Sequence, residues 1–239
     1  MKSNDIIFAD LSTYTPKASM AFYEAVFGWK YYLRDAYYTA YVGDRPVSGL
    51  YETPEKFKQM RMPSFWMTYI QVTDLESVVD KAKQLGGIIE MNYEMVGFGK
   101  VALIRDPQGA GFTLYEGYKL QSTRTKNTKN TLIWNELHVS DVEKVIPFYQ
   151  GILEWDFKPI EDESYLVINQ QGNYIADLLQ IQNEYKGKYE YWVCTFGVED
   201  LATAKKRILE NRGNLISDEG VRMLFTDNSG EAFFYAKQL

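Results

Sequence analysis

The chain has 239 residues and a mass of 27.8 kDa, with 46% hydrophobic residues and one cysteine. This length holds one large domain or two of about 120 residues, and the composition excludes a disordered or collagen-like chain. The 26 basic and 32 acidic side chains give a net charge of −6. That balance disfavours a nucleic-acid partner, because neutralising phosphates requires clustered cations.

The first 70 residues predict a strand, a helix and a strand meander. Residues 6–12 alternate with the period of a strand, which turns one set of side chains toward the helices and the set of Phe8, Asp10 and Ser12 to the other side. Thr15-Pro16 then predicts a helix start, and Gly28 predicts its end. Aromatic and β-branched residues continue from 29 to about 51 and predict three strands with a break at Gly43-Asp44.

The next segment has the same plan. Residues 65–72 predict a strand, Asp74 an N-cap, and Gly86-Gly87 the end of a helix, after which three strand-like stretches reach Glu116. Residues 118–131 are polar, with four cations and no acid, and predict an exposed linker.

The chain is an internal duplication. A shift of 126 residues superposes Phe22-Tyr23 on Phe148-Tyr149 and Trp66 on Trp192, and a shift of 121 superposes Asp106 on Asp227. The second copy accordingly predicts a strand over 132–139 and helices over about 141–153 and 200–211. We therefore expect an α+β fold of four βαβββ modules, with a first domain over 1–118, a linker over 119–131 and a second domain over 132–239.

These motifs resemble the vicinal oxygen chelate superfamily, which contains glyoxalases, bleomycin-resistance proteins and extradiol dioxygenases. The resemblance rests on the order of Phe22-Tyr23, Gly28-Trp29 and Asp106-Pro107-Gln108-Gly109, with a counterpart in the second copy. It implies two tandem glyoxalase/bleomycin-resistance-like domains whose paired modules form concave mixed sheets around a cavity. Enzymes of this superfamily hold a divalent metal there through His, Gln and Glu side chains.

The metal ligands that the resemblance implies are missing from this sequence. The corresponding positions hold Phe8, Met67 and Thr113 in the first copy and Trp134, Val193 and Phe234 in the second, while Glu52 lies near a fourth position. The whole chain offers one imidazole, His138, and one thiol, Cys194, although a transition-metal site favours such ligands. We therefore expect no cofactor and regard a divalent metal as disfavoured.

Strand parity and register select candidate ligand-binding residues on the side of the sheets opposite the helices. They are Phe8, Asp10, Tyr69, Tyr115, Trp134, Glu136, His138 and Phe234. Asp10 and Glu136 stand at the same place in the two copies. They are either partly exposed strand residues or partners of a nearby arginine, or else they hold a cation or amine of a ligand or, if desolvated, act as a general base. His138, next but one to Glu136, is either structural or a general acid/base.

Several other features have a structural interpretation. The recurring tryptophans at 29, 66, 155 and 192 predict core residues, and Cys194 predicts a buried, inert thiol. The carboxylate of Asp106 fits turn hydrogen bonds. A lone cysteine permits no intramolecular disulfide, and the N-terminus has no apolar run, so we expect a cytoplasmic protein without a membrane partner.

The sequence favours metal-independent binding of a small aromatic or cationic organic molecule, of the sequestration or resistance type, in an aromatic and acidic cavity. One alternative is a metal-dependent lyase, isomerase or dioxygenase of the same superfamily, with a metal held by Asp10, Glu136 and His138. Another is an interaction module with filled cavities. Whether the protein is an enzyme, and whether it is a monomer or a homodimer, are left open.

Overall fold

The structure is a computed structural model that describes residues 4–161 and 163–239. The first half contains β1 (Asp5–Thr13), α1 (Pro16–Phe27), β2 (Lys30–Arg34), β3 (Tyr37–Val42), β4 (Arg45–Glu52), α2 (Glu55–Gln59), β5 (Phe65–Gln71), α3 (Leu75–Gln84), β6 (Ile88–Met95), β7 (Gly99–Arg105) and β8 (Gly111–Glu116). The second half contains β9 (Leu132–Val139), α4 (Val142–Leu153), β10 (Asp156–Glu161), β11 (Ser164–Ile168), β12 (Tyr174–Gln180), α5 (Asn183–Lys186), β13 (Tyr191–Val198), α6 (Leu201–Glu210), β14 (Asn214–Asp218), β15 (Arg222–Thr226) and β16 (Phe233–Gln238).

This order confirms the four βαβββ modules. The short helices α2 and α5, which follow the first module of each half, were not predicted. In the described part of the chain, no helix combines the length and apolar character needed to cross a membrane.

The helix ends follow the local sequence. Helix α1 has Pro16 in its first turn and ends at Gly28, whose φ of 70° is a left-handed conformation that glycine adopts freely. Thr15 stands at the N-cap as predicted, but its side chain makes no capping hydrogen bond. Helices α3, α4 and α6 instead begin after aspartates whose carboxylates accept a backbone N–H, at positions 74, 141 and 200.

The strands form two mixed sheets of eight strands. Their orders are β2-β3-β4-β1-β5-β8-β7-β6 and β10-β11-β12-β9-β13-β16-β15-β14. In each half, the first strand of a module pairs in parallel with the last strand of the same module, as β1 does with β4 and β5 with β8, and the meander strands pair antiparallel.

The chain divides into two compact units. Unit 1 comprises the chain up to Ile7, Thr68–Ser122 and Asn135–Val193, and unit 2 comprises Phe8–Met67, Thr123–Trp134 and Cys194–Leu239. Each unit thus draws on both copies of the repeat. The boundaries proposed from sequence, 1–118 and 132–239, stay a prediction.

Each unit has its own hydrophobic core, built around a pair of helices in contact. In unit 1 helices α3 and α4 pack together, and in unit 2 helices α1 and α6 do so. The core of unit 2 includes Ala9 and Leu11, as the parity of the first strand predicts, and also the buried Cys194. Burial of these apolar faces is the main source of stability.

The recurring tryptophans are core residues, as predicted. Trp29 and Trp66 lie in the core of unit 2, and Trp155 and Trp192 in that of unit 1. The indole of Trp29 also donates to the carbonyl of Asn130, 2.8 Å away. Residues 119–131 are mostly exposed, but this contact attaches the end of the segment to unit 2.

Candidate functional site

Asp10 and Glu136 occupy equivalent positions in the two sheets, and both are completely buried. On β1, Asp10 is in register with Gly49 of β4, and on β9, Glu136 is in register with Asp177 of β12. Partial exposure, which was one of the interpretations left open for these acids, is therefore wrong. Burying a carboxylate is costly unless hydrogen bonds or charges compensate it, so the partners of each acid matter.

In the first copy, Asp10 accepts a hydrogen bond from a phenol. Tyr37 Oη lies 2.8 Å from Asp10 Oδ2, and the ring of Tyr37 stacks on Tyr51 with the centroids 6.2 Å apart. Burial and then the Asp10 carboxylate hold the pKa of Tyr37 well above its usual range. Tyr37 is therefore a neutral donor at physiological pH.

In the second copy, the acid contacts the only imidazole of the chain. His138 Nε2 lies 3.2 Å from Glu136 Oε2, a distance at which an imidazole N–H donates to a carboxylate. The ring of Tyr191 lies 5.3 Å from the His138 ring, and Asp177 stands beside Glu136 on the neighbouring strand. Burial, followed by Glu190 and Glu136, raises the pKa of Tyr191. The arrangement can hold a hydrogen-bond donor or a cation, or accept a proton.

Three of these residues were missed at the sequence level. Tyr37, Tyr191 and Asp177 reach the acids through strand pairing, which periodicity does not specify. No sequence signal located them, because the register that places residues 49 and 177 beside the two acids is known only from the strand pairing in the structure.

The other predicted ligand-binding residues are distributed over both units. In unit 1, Tyr69 and Tyr115 lie on the face of their strands opposite the core residues Ile70 and Leu114, as expected. The hydroxyl of Tyr115 is occupied by backbone contacts, since it donates to the carbonyl of Phe98 and accepts the N–H groups of residues 119 and 120. This contact fixes the end of the first copy.

In unit 2, Phe8 is buried and Trp134 is half-buried. The guanidinium of Arg124 lies over the Trp134 ring, 4.9 Å from its centroid, so this aromatic face already has a cation.

The placement predicted for Phe234 is wrong. Its ring lies in the core of unit 2, in contact with the helix residues Phe22 and Phe27. The backbone N–H of Asp227 donates to the carbonyl of Ala232, five residues later, whereas that of Asp106 donates to the carbonyl of Ala110, four residues later. The second turn is therefore one residue longer. One inserted residue exchanges the two faces of a strand, and Tyr235 is thus the counterpart of Thr113.

A buried hydrogen-bonded network in unit 1 was also missed. The indole N–H of Trp192 donates to Tyr149 Oη at 3.2 Å, and this hydroxyl donates to Asp106 Oδ2 at 3.1 Å. The other oxygen of Asp106 accepts backbone N–H groups of residues 108–110, which confirms the predicted turn role. Burial raises the pKa of Asp106 to about 6, against the opposing effect of these hydrogen bonds.

Unit 2 contains the same network. Trp66 donates to Tyr23 Oη at 3.1 Å, and Tyr23 donates to Asp227 Oδ2 at 3.3 Å. Burial again raises the pKa of the carboxyl group. The network joins the Tyr of one copy to the turn Asp of the other copy, and we assign it to the core.

The donor chemistry does not fit the metal of this fold family. Phe8, Met67 and Thr113 provide no imidazole, thiolate or carboxylate, and neither do Trp134 and Val193. Among residues 4–161 and 163–239, no three His, Cys, Asp or Glu side chains form a group that could hold a metal ion, so Asp10, Glu136 and His138 do not form one.

Two further acceptors near the expected ligand positions are already engaged. The carboxylate of Glu52 pairs with Lys58 Nζ at 2.5 Å. The hydroxyl of Tyr235, the counterpart of Thr113, donates to Glu219 at 3.2 Å.

A recess of about 370 Å³ lies in unit 1, between the start of β1, the end of β5 and residues 120–122. None of the eight predicted ligand-binding residues lines it.

Comparisons with known proteins agree with this architecture. The family model described as Glyoxalase/Bleomycin resistance protein/Dioxygenase superfamily matches residues 8–114. The chain is 28% identical over 210 residues to "Putative glyoxylase CFP32" of Mycobacterium tuberculosis, covering 83% of this chain and 79% of that protein. It is 24% identical over 160 residues to "Anthracycline biosynthesis protein DauV" of Streptomyces sp. (strain C5), covering 60% and 58%.

Two solved structures share the fold at low sequence identity. The 2,3-dioxygenase LapB from Pseudomonas sp. KL28 superposes with a TM-score of 0.67 at 12% identity, covering all of this chain and 94% of that one. The Mn(II)-bound glyoxalase from Novosphingobium aromaticivorans has a TM-score of 0.67 at 10% identity, covering 99% and 82%. Residues 8–114 therefore match the Glyoxalase/Bleomycin resistance protein/Dioxygenase superfamily, and the whole chain has the fold of tandem glyoxalase-like domains.

Proposed function

We propose that this protein binds a small organic molecule through a buried carboxylate of its sheets, without a transition metal. The observation that carries the proposal is the pair Asp10 and Glu136. Both acids are fully buried at the same strand position, and each contacts a side chain that donates a hydrogen bond.

Burying these two acids carries an energetic cost. Removing a carboxylate from water costs several kcal/mol, and an apolar side chain of similar volume would serve a purely structural sheet as well or better. The chain carries this cost twice, at equivalent positions. A buried carboxylate also provides a directed acceptor for the amine, amide or hydroxyl group of a ligand.

We assign the polar anchor of the ligand to Glu136 in the second copy. His138 and Tyr191 add an imidazole and a phenol, and Asp177 adds a second carboxylate on the adjacent strand. This combination of negative charge and aromatic rings suits a cationic or aromatic molecule.

The relatives support the class of ligand. One is named as a glyoxylase and another as a protein of anthracycline biosynthesis, and both names refer to the chemistry of small organic molecules. The cytoplasmic location and the monomeric or homodimeric state stay predictions.

The Glu136–His138 contact also supports a second candidate, a metal-independent enzyme. In that case the Glu136 carboxylate takes a proton from one atom of the bound molecule, the resulting carboxylic acid returns this proton to another atom of the molecule, and His138 orients the Glu136 carboxyl group through their contact. Turnover of a bound compound by metal-depleted protein would distinguish this candidate from binding alone.

The test is a screen of small organic amines, phenols and aromatic acids against protein treated with a chelator. Thermal stability and tryptophan fluorescence report binding. Each compound that binds is then titrated against Glu136→Gln, which removes the charge but keeps the shape. The matched control is Glu184→Gln, at an exposed position of α5.

We expect at least one compound to bind the chelated protein, with affinity about tenfold weaker for Glu136→Gln and unchanged for Glu184→Gln. Binding that requires added metal would overturn the metal-independent proposal. Equal affinity for Glu136→Gln and the wild type would remove Glu136 from the site, and a screen without any binder would favour an interaction module.

A further inference from the structure

In the first copy, a tyrosine side chain of the protein itself makes both a hydrogen bond and a ring-stacking contact through its phenol. Asp10 provides the acceptor for the Tyr37 hydroxyl, and Tyr51 provides a stacked ring, with the two ring planes 16° apart. Asp10 is fully buried and Tyr37 is half-buried, so this hydrogen bond is largely shielded from bulk water. A charged acceptor in such surroundings binds a hydroxyl more strongly than a neutral acceptor does.

Gly49 provides the space for the hydroxyl. A Cβ atom at this position would lie 1.8 Å from Tyr37 Oη and 2.5 Å from Tyr37 Cζ. The backbone of Gly49 is not left-handed, so a larger residue could adopt its conformation. Glycine is therefore required here because a Cβ atom would overlap the hydroxyl group of Tyr37.

The second copy shows that the fold does not require this arrangement. By strand register, Ser164 stands at the place of Tyr37, Leu179 at that of Tyr51, and Asp177 at that of Gly49. The same βαβββ module is thus built without a phenol, without its stacking partner and without the space-giving glycine.

We propose that Asp10, Gly49 and Tyr51 form a binding site for a neutral hydroxyaromatic ring, which Tyr37 occupies as an intramolecular ligand. A free phenol should enter this site when the Tyr37 side chain is removed. The inference does not depend on the function proposed for Glu136, because it concerns the first copy alone and needs no natural ligand.

The site selects the neutral form of the phenol. A phenolate would face the Asp10 carboxylate without a proton between them, and the raised pKa of Tyr37 agrees with this preference. Aromatic carboxylic acids are disfavoured for the same reason.

The experiment uses the full-length Tyr37→Gly variant and 4-methylphenol, which is the tyrosine side chain cut at Cβ. Calorimetric titration measures binding, and thermal unfolding follows stability. Toluene is the comparison ligand, since it has the same ring and methyl group but no hydroxyl. Tyr32→Gly, at a tyrosine 62% exposed on β2, is the matched control variant.

We expect 4-methylphenol to bind Tyr37→Gly about tenfold or more tightly than toluene, because only the phenol restores the bond to Asp10. Tyr32→Gly should bind 4-methylphenol no more tightly than the wild type does. The double variant Tyr37→Gly/Gly49→Ala should lose the binding, because the added methyl group fills the position of the hydroxyl.

Equal binding of toluene and 4-methylphenol would overturn the proposal, and so would the absence of binding to a folded Tyr37→Gly. If this variant does not fold alone, 4-methylphenol but not toluene should restore folded protein, and failure to do so also refutes the site. Adding Glu136→Gln should leave 4-methylphenol binding unchanged, which separates this result from the test of the proposed function.

Discussion

The paired Trp–Tyr–Asp networks make a quantitative prediction about stability. In unit 1, Tyr149→Phe removes one hydroxyl that both accepts from Trp192 and donates to Asp106. Two buried polar groups lose their described contact to this hydroxyl, and each such loss costs about 1–3 kcal/mol. We therefore expect Tyr149→Phe to lower the free energy of unfolding by about 3 kcal/mol, with only one oxygen atom removed.

Unit 2 supplies an internal replicate. Tyr23 makes the same two contacts with Trp66 and Asp227, so Tyr23→Phe should cost a similar amount. The control is Tyr185→Phe, at a tyrosine 73% exposed on α5, which should change stability by less than about 0.5 kcal/mol.

Denaturant unfolding followed by circular dichroism and tryptophan fluorescence measures these differences, and thermal unfolding should show a fall of about 6–12 °C for a chain of this size. The double variant Trp192→Phe/Tyr149→Phe should lose about 1 kcal/mol less unfolding free energy than the sum of the losses in the two single variants. The reason is that the indole N–H, which loses its partner in Tyr149→Phe, is absent from the double variant. A cost below about 1 kcal/mol for both Tyr149→Phe and Tyr23→Phe would refute the assignment of these networks to the core.

Three further predictions concern single positions. The pKa of Asp106 is about 6 in the folded protein and about 3.9 in an unfolded chain, so folding favours the protonated carboxyl group. This preference adds about 3 kcal/mol to the free energy of unfolding below pH 4, and the added stability is lost as the pH rises through 6. Asp106→Asn should therefore make the free energy of unfolding depend less on pH between pH 4 and 7. Curves of unfolding free energy against pH that run parallel for the variant and the wild type would contradict this. Gly49→Ala should destabilise the protein by about 1–3 kcal/mol through overlap with Tyr37, and the same change in Tyr37→Gly should cost much less in denaturant unfolding. Ala36 has a φ of 65°, so Ala36→Gly should relieve backbone strain and raise stability by about 0.5 kcal/mol in thermal unfolding, whereas a loss of stability would show that the turn is not strained.

Local patterns were sufficient for the strands and the four longer helices of this fold, but not for the short helices α2 and α5. Aspartates at 74, 141 and 200 begin helices because a side-chain oxygen caps the first turn, and this interaction depends on residues within one turn of each other. The duplication and the candidate acids Asp10 and Glu136 were also readable, because strand alternation assigns side chains to faces without knowledge of the neighbouring strand.

The contacts that give the acids their chemistry were decided by tertiary structure. Tyr37 reaches Asp10 across two strand pairings, and Tyr149 reaches Asp106 from the other copy of the repeat, so neither contact has a fixed spacing in sequence. The error at Phe234 has the same origin. A single extra residue in the turn before β16 exchanged the faces of that strand, and only the closing hydrogen bond at Ala232 shows where it was inserted. The sequence alone thus determined which segments become strands and helices, because those signals are local. Register and burial determined which side chains meet, because they depend on residues that are far apart in the chain.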